Sequence, residues 1–338
     1  MTKYGSKIIS IGYYVPEKIV KVKDIEKKLK FKEKLGVPYG ILERLTGCRE
    51  HHEASPDVDA SDLAVKASEA AIKQANISVK DIDLIIFAAC CQDVTEPATA
   101  NIIQEKLGAT GAHVFDVKNA CNSFINSMDI ADSLISTGKA KTVLIAAGEV
   151  ASKYIDWNIE KKEDLDLKAS GLTLGDGGGA AIMTKSNANE SGLKASHFTS
   201  DGTQWRLAVI YGGGTMYPRD PKQCYFLSDS VKIIGLAFER IPAIMIKVIE
   251  DAGWKPKDVD LVVPHQVTVK IIKDIMNQVK IPFERAIVTV DRYGNSAATT
   301  IPIALATALE SGRVKPGSKI LLVGGASGFS VGVIGMVW

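Results

Sequence analysis

Lys80-Asp81-Ile82-Asp83-Leu84-Ile85-Ile86 returns later in the chain as Lys257-Asp258-Val259-Asp260-Leu261-Val262-Val263. Each copy follows an amphipathic helical pattern and runs into an apolar stretch of strand length. The echo continues downstream. Ser136-Thr137-Gly138-Lys139 and the apolar run 143–147 return as Glu310-Ser311-Gly312-Arg313 and the run 320–323. Short apolar runs alternating with helical segments are the pattern of largely parallel sheets covered by helices on their faces. The sequence therefore reads as α/β, two copies of one unit, 1–185 and 186–338, related by a pseudo-twofold axis.

Working outward, the β-branched run 113–117 hands over to a helical pattern at about 121–137. There Phe124, Ile125, Met128, Ala131, Leu134 and Ile135 share one face. Cys121 sits at that joint, where unsatisfied N–H groups and the helix dipole favour a thiolate. On this stretch alone, a small thiol packed into the joint is the simpler reading. The repeat supplies more. Counted back from the matched glycines, Asn295 in Tyr293-Gly294-Asn295-Ser296 takes the place of Cys121. His265, in Val263-Pro264-His265-Gln266, ends the strand matched to 84–88. Open α/β sheets gather ligands at the carboxyl ends of their strands, so these three side chains are expected in one cleft.

Composition excludes several classes. With 338 residues, 46% hydrophobic and 24% charged, the chain has the balance of a globular protein with a large core. A net charge of +2, with no basic tract interleaved with aromatics, gives no reason to bind nucleic acid. Residues 1–12 read as neither a signal peptide nor a membrane span. The five cysteines and five histidines have no metal-ligand or disulfide spacing, so free thiols in a reducing cytoplasm, and no metal, are expected.

Other stretches give local expectations. Residues 7–14 form a first strand, and Ser61 caps a helix running to 75. Residues 18–34 present a lysine-rich solvated face, with docking of an acidic carrier as the alternative. Residues 152–167 form a surface excursion. The glycine run 175–179 lacks the Lys-Ser/Thr of a phosphate loop and is expected as a tight structural turn. A loop at 211–221 is expected to cover a pocket, ahead of a helix at 228–253 interrupted at Pro242.

Five motifs, in this order and spacing, carry a resemblance: Asn119-Ala120-Cys121, Leu174-Gly175-Asp176-Gly177, Pro264-His265-Gln266, Gly294-Asn295-Ser296 and Gly324-Gly325. Over nearly its whole length the chain resembles the thiolase superfamily, in particular the ketoacyl-ACP synthase III group of condensing enzymes. The resemblance implies a duplicated five-layer αβαβα fold and a homodimer. It implies that Cys121 takes an acyl group from a thioester, while His265 and Asn295 hold the carbonyl of the second thioester. The oxyanion hole would be the N–H of Cys121 with that of Ala326 in the Gly325-Ala326 turn. Lys270 falls where initiation synthases keep a basic residue for the carrier arm. No cofactor is implied, only coenzyme A or phosphopantetheine thioesters as substrates, with acyl-CoA or an acyl carrier protein as the donor.

The departures point to a branch. Initiation synthases usually carry an aromatic before a proline upstream of the cysteine, and a Trp near 42–47; here the first place is Glu96-Pro97 and the second holds no Trp. Glu96-Pro97, Asn119-Ala120-Cys121 and Leu35-Gly36-Val37-Pro38 are similar to the OleA family, which joins two acyl chains head to head. There the glutamate reaches across the dimer interface and is proposed to remove an α-proton. A carboxylate makes chemical sense in that role, because two unactivated thioesters need a base. Three alternatives stay open at this point: condensation with malonyl-ACP, transfer of the acyl group to form an ester or amide, and an inactive scaffold subunit.

Overall fold

A computed structural model describes residues 5–186 and 191–338. Residues 1–4, within the stretch read above as no targeting segment, lie outside them. Two sheets organise the chain. The first holds β1 (Gly5–Tyr14), β2 (Leu84–Ala88), β3 (His113–Val117), β4 (Thr142–Val150) and β5 (Asp176–Ser186), in the order β1-β5-β4-β2-β3. The second holds β6 (Gly192–Ser200), β7 (Leu261–Pro264), β8 (Lys319–Ala326) and β9 (Ser330–Val337), in the order β7-β8-β9-β6.

The sequence repeat is a repeat of strand pairing. Leu84 pairs in parallel with Val143 in the first sheet, as Leu261 does with Ile320 in the second. The duplicated aspartates fasten these pairs. Asp83 accepts the N–H groups of Lys141 at 2.8 Å and Thr142 at 2.9 Å, and Asp260 accepts that of Lys319 at 2.8 Å. Each carboxylate thus satisfies backbone donors where the neighbouring strand begins.

Six helices complete the layers: α1 (Ala60–Ala75), α2 (Thr99–Leu107), α3 (Ser123–Ser136), α4 (Ser230–Asp251), α5 (Val269–Gln278) and α6 (Thr300–Glu310). Phe124 and Met128 of α3 and Ile301 and Leu305 of α6 pack between the inner faces of the two sheets. Outside them, α1 and α2 cover the first sheet, and α4 and α5 the second. The result is the expected α/β/α/β/α stack.

The glycine run is not a turn. From Asp176 onward it lies in β5, buried, because helices approach the sheet too closely for side chains. A Cβ on Gly178 would meet the Leu63 carbonyl oxygen at 2.1 Å, and one on Gly179 would meet Pro302 Cγ at 2.4 Å. Gly12 on β1 and Gly148 on β4 serve α1 in the same way.

Three further expectations change. Asp59, in a reciprocal capping box with Asp62, caps α1, and Ser61 is buried in its first turn. The helix at Pro242 runs unbroken, since Ile241, Met245 and Val248 pack it onto the second sheet on either side of the missing donor. Residues 152–167 pass through short helical turns on either side of the irregular stretch 155–161, which buried Ile155 and Ile159 pin against Val22, Ile25 and Phe31. Among the described residues, no helix is long and apolar enough to cross a membrane, and no cluster of side chains suits a metal ion.

Candidate active site

Cys121 leaves β3 through a sharp turn. Ala120 adopts a left-handed φ of 47°, unusual for a residue with a side chain. Ser123 holds that conformation: its hydroxyl accepts the Asn119 N–H at 2.8 Å and donates to the Ala120 carbonyl at 2.7 Å. The next residue ties the turn to the second sheet. Asn122 Nδ2 donates to the Ser330 hydroxyl at 2.8 Å and to its carbonyl at 3.1 Å. Gly324 makes room for it, since a Cβ there would meet Asn122 Oδ1 at 2.0 Å.

His265 follows β7, and its N–H donates to the Val323 carbonyl at 2.7 Å. Its Nδ1 lies 2.7 Å from Thr300 Oγ1, and the Thr300 hydroxyl donates to the Ala297 carbonyl at 2.9 Å. A hydroxyl has one proton, so Thr300 accepts from Nδ1–H and leaves Nε2 for the cleft. Asn295 is oriented by the same logic. Its Oδ1 accepts the Ala297 N–H at 3.0 Å, which leaves the Nδ2 amide as a donor. Its backbone is clamped by Thr173 and Gly175.

All three side chains line one cavity of about 460 Å3. Two groups hold the Cys121 thiol well below the usual thiol range: a hydrogen bond from Cys90, and the nearby His265 ring. Burial opposes them. Cys90 moves the other way, its thiol pushed up by that same contact and by burial. Behind it, fully buried Glu149 accepts the N–H groups of Cys90 at 2.7 Å, Cys91 at 3.0 Å and Ala298 at 3.3 Å. Burial raises its carboxyl to about 7.

The remaining candidates are spread out. Ala326 lines the cavity but is the last strand residue of β8, paired with Ser330, and not part of a turn. The strand persists because β9 turns back only after 327–329. Lys270 stands exposed at the cavity wall in an ion pair with Asp274. Glu96 is exposed between β2 and α2 and does not line the cavity of its own chain. The 211–221 loop contributes no lining residue; its flanks do, through Ala208, Phe226 and Ser228.

Sequence reasoning missed Thr300, Glu149 and Cys90. Glu149 had a signal, an acid ending an otherwise apolar strand run. Cys90 had a fainter one, a thiol just past the strand matched to that of His265.

Beyond the polar groups, the cavity runs between α4 and α5 over the second sheet. Its walls there include Ile234, Ala237, Phe238, Ile271 and Ile275. A polar end with a thiol and two fixed nitrogens, and an apolar interior, suit covalent capture of an acyl chain.

Comparison with known proteins agrees. The family description 3-oxoacyl-[acyl-carrier-protein (ACP)] synthase III matches residues 115–202, and its C-terminal counterpart matches 249–338. The β-ketoacyl-[acyl-carrier-protein] synthase III of Alkalilimnicola ehrlichii is 33% identical over 97% of this chain and 97% of its own. That of Clostridium perfringens is 34% identical over 97% of this chain and 98% of its own. The crystal structure of the Aquifex aeolicus synthase III matches with a TM-score of 0.87 at 31% identity, over 99% of this chain and 100% of that one. A Xanthomonas campestris OleA structure with bound lauric acid and lauroyl-CoA matches with a TM-score of 0.89 at 25% identity, over 99% of each chain.

Proposed function

Because the chain belongs to the 3-oxoacyl-[acyl-carrier-protein] synthase III family of acyltransferases, we propose that it condenses two acyl thioesters through an acyl-Cys121 intermediate. The observation that carries this reading is the apolar cavity that opens at Cys121, His265 and Asn295 together. The two halves, 1–185 and 186–338, each bring part of the machinery.

In the first step Cys121 sulfur attacks the thioester carbonyl. The N–H groups of Cys121 and Ala326 stabilise the oxyanion; removing one such donor typically costs about 3–4 kcal/mol of barrier. The thiol proton passes to His265 Nε2 and stays there, and the departing sulfur takes its proton from solvent. In the second step Nε2–H and Asn295 Nδ2 face the carbonyl oxygen of the second thioester, where enolate charge develops. The α-carbon then attacks acyl-Cys121, a carbon–carbon bond forms, and Cys121 leaves as thiolate with a β-keto product.

The proposed source of the carbanion is head-to-head: in a cytoplasmic homodimer, the partner's Glu96 removes the α-proton. The exposure of Glu96 outside its own chain's cavity suits contribution to a second copy. The second reading, malonyl-ACP as donor, draws on the names of the relatives at 33–34% identity and on Lys270 at the cavity wall. Purified protein given long acyl-CoA alone separates them. Release of coenzyme A with β-keto acid supports the first, and product only with malonyl-ACP overturns it.

A further inference from the structure

We propose that Glu149 is a positioning residue for the condensation step: through the Ala298 N–H it holds the turn at Ala297 that aims Asn295 Nδ2 and His265 Nε2 at the carbonyl oxygen of the second thioester. The inference deepens the condensation reading above and rests on it for the step in which Glu149 acts.

Glu149 lies at the end of β4 in the first half, fully buried, yet its partners belong to both halves. Its Oε1 accepts the Cys90 N–H at 2.7 Å and the Ala298 N–H at 3.3 Å, while Oε2 accepts the Cys91 N–H at 3.0 Å. One oxygen therefore joins the segment after β2 to the turn ahead of α6. Within that turn Ala297 has a left-handed φ of 49°, which a residue with a Cβ keeps only where its surroundings hold it. Ala297 serves the cleft through both of its backbone groups. Its N–H donates to Asn295 Oδ1 at 3.0 Å, which leaves Nδ2 for the substrate. Its carbonyl accepts the Thr300 hydroxyl at 2.9 Å, which leaves Thr300 Oγ1 to accept from His265 Nδ1–H. That carbonyl and the Ala298 N–H are the two ends of one peptide group, so Glu149 and Thr300 pin the same plane from opposite sides.

The consequence for catalysis follows from that plane. Ala298 is fully buried, so no solvent replaces the carboxyl if it is removed. An unpaired buried N–H is costly, and rotating the 297–298 peptide out of its left-handed setting relieves it. The same rotation draws the Ala297 N–H from Asn295 and the Ala297 carbonyl from Thr300. The two nitrogens then cease to converge on one oxygen, and donors stabilise developing charge only where they are already aimed at it. Asn295 takes no part in acylation of Cys121, so the loss falls on the second step.

The test separates the two half-reactions in the full-length protein. Acylation of Cys121 by lauroyl-CoA is timed by mass spectrometry. The acyl-protein is then freed of excess reagent and mixed with more lauroyl-CoA or with malonyl-ACP, whichever the unmodified protein condenses, and the β-keto product is timed. Glu149→Met, of equal length but without an acceptor, is expected to slow condensation roughly tenfold or more and acylation by less than about threefold. Glu149→Gln, whose one carbonyl oxygen can stand in for Oε1, is expected to recover most of the condensation rate. A core that is merely loosened slows both steps alike, so equal losses, or an unchanged condensation rate, overturn the proposal. If the methionine variant does not fold, Glu149→Asp decides by the same ratio, since it withdraws the carboxylate from Ala298 by one methylene. An unmodified protein that forms no carbon–carbon product overturns the condensation reading and this inference with it, whereas an unchanged ratio in the variants overturns this inference alone.

Discussion

Thr300 Oγ1 stands 2.7 Å from His265 Nδ1, and it is the first residue of α6, the helix that the repeat pairs with the one following Cys121. The hydroxyl decides which imidazole nitrogen carries the proton. Thr300→Val keeps the shape but leaves a buried Nδ1–H without a partner, a loss of about 1–3 kcal/mol. The expected result is a fall of roughly tenfold or more in the rate of Cys121 acylation by acyl-CoA, with Thr300→Ser close to the unmodified protein. Single-turnover mass spectrometry of Cys121 measures it. An unchanged rate in the valine variant would remove Thr300 from the positioning of His265.

Glu149 gives the stability a pH dependence of unusual sign. In the native protein burial holds its proton to about 7, whereas the ordinary value is 4.5. Between those two values the native state binds more protons than the unfolded chain. Stability through this group is therefore greatest below pH 4.5 and declines as pH rises to 7, by about 3 kcal/mol. Glu149→Gln loses an acceptor for one N–H and is expected to be less stable at pH 5. Its stability should also decline less than that of the unmodified protein between pH 5 and 7. Urea unfolding at both values tests this, and parallel curves for the two proteins would refute it.

Much of this arrangement was legible in the residues. The doubled Lys-Asp-x-Asp strand entry located both parallel strand pairs, because those aspartates bond the backbone of the neighbouring strand. Asn295 followed by counting from Cys121, since a duplicated fold duplicates the approach to its middle helices. The glycine run 175–179 misled, because glycine signals close approach as well as turning, and sequence does not say which. Thr300 was hidden for a different reason. Its importance lies in the His265 ring it touches across the chain, and neither spacing nor periodicity encodes that contact.

Gly148 and Gly235 separate the two uses of glycine. A Cβ on Gly148 would lie 1.8 Å from the Ala60 carbonyl oxygen, so Gly148→Ala must push α1 off the sheet. Overpacking against backbone is expected to cost about 3 kcal/mol or more. Gly235 lies within α4 with nothing within 4 Å of its Cβ position, so Gly235→Ala should stabilise by roughly 0.5–1 kcal/mol. Denaturant midpoints of the two variants should move in opposite directions. A tolerated Gly148→Ala would contradict the close α1 packing.

The cavity itself predicts chain-length selection. Ala237 lines it from α4, one turn before Ile241, and is nearly fully buried. Ala237→Phe places a ring in space that the acyl chain would occupy, without removing any core side chain. Long chains lose their apolar contacts at about 0.8 kcal/mol for each methylene displaced, while short chains end before the obstruction. Excluding two methylenes then lowers acylation by the longest substrates roughly tenfold or more. The expected pattern is a shift of the optimum toward shorter acyl-CoA, with little change at the short end. Competition among an acyl-CoA series, read from the mass of acyl-Cys121, reports the distribution directly. Uniform loss at every length would mean that the substitution disturbs the fold. An unchanged distribution would place the acyl chain elsewhere.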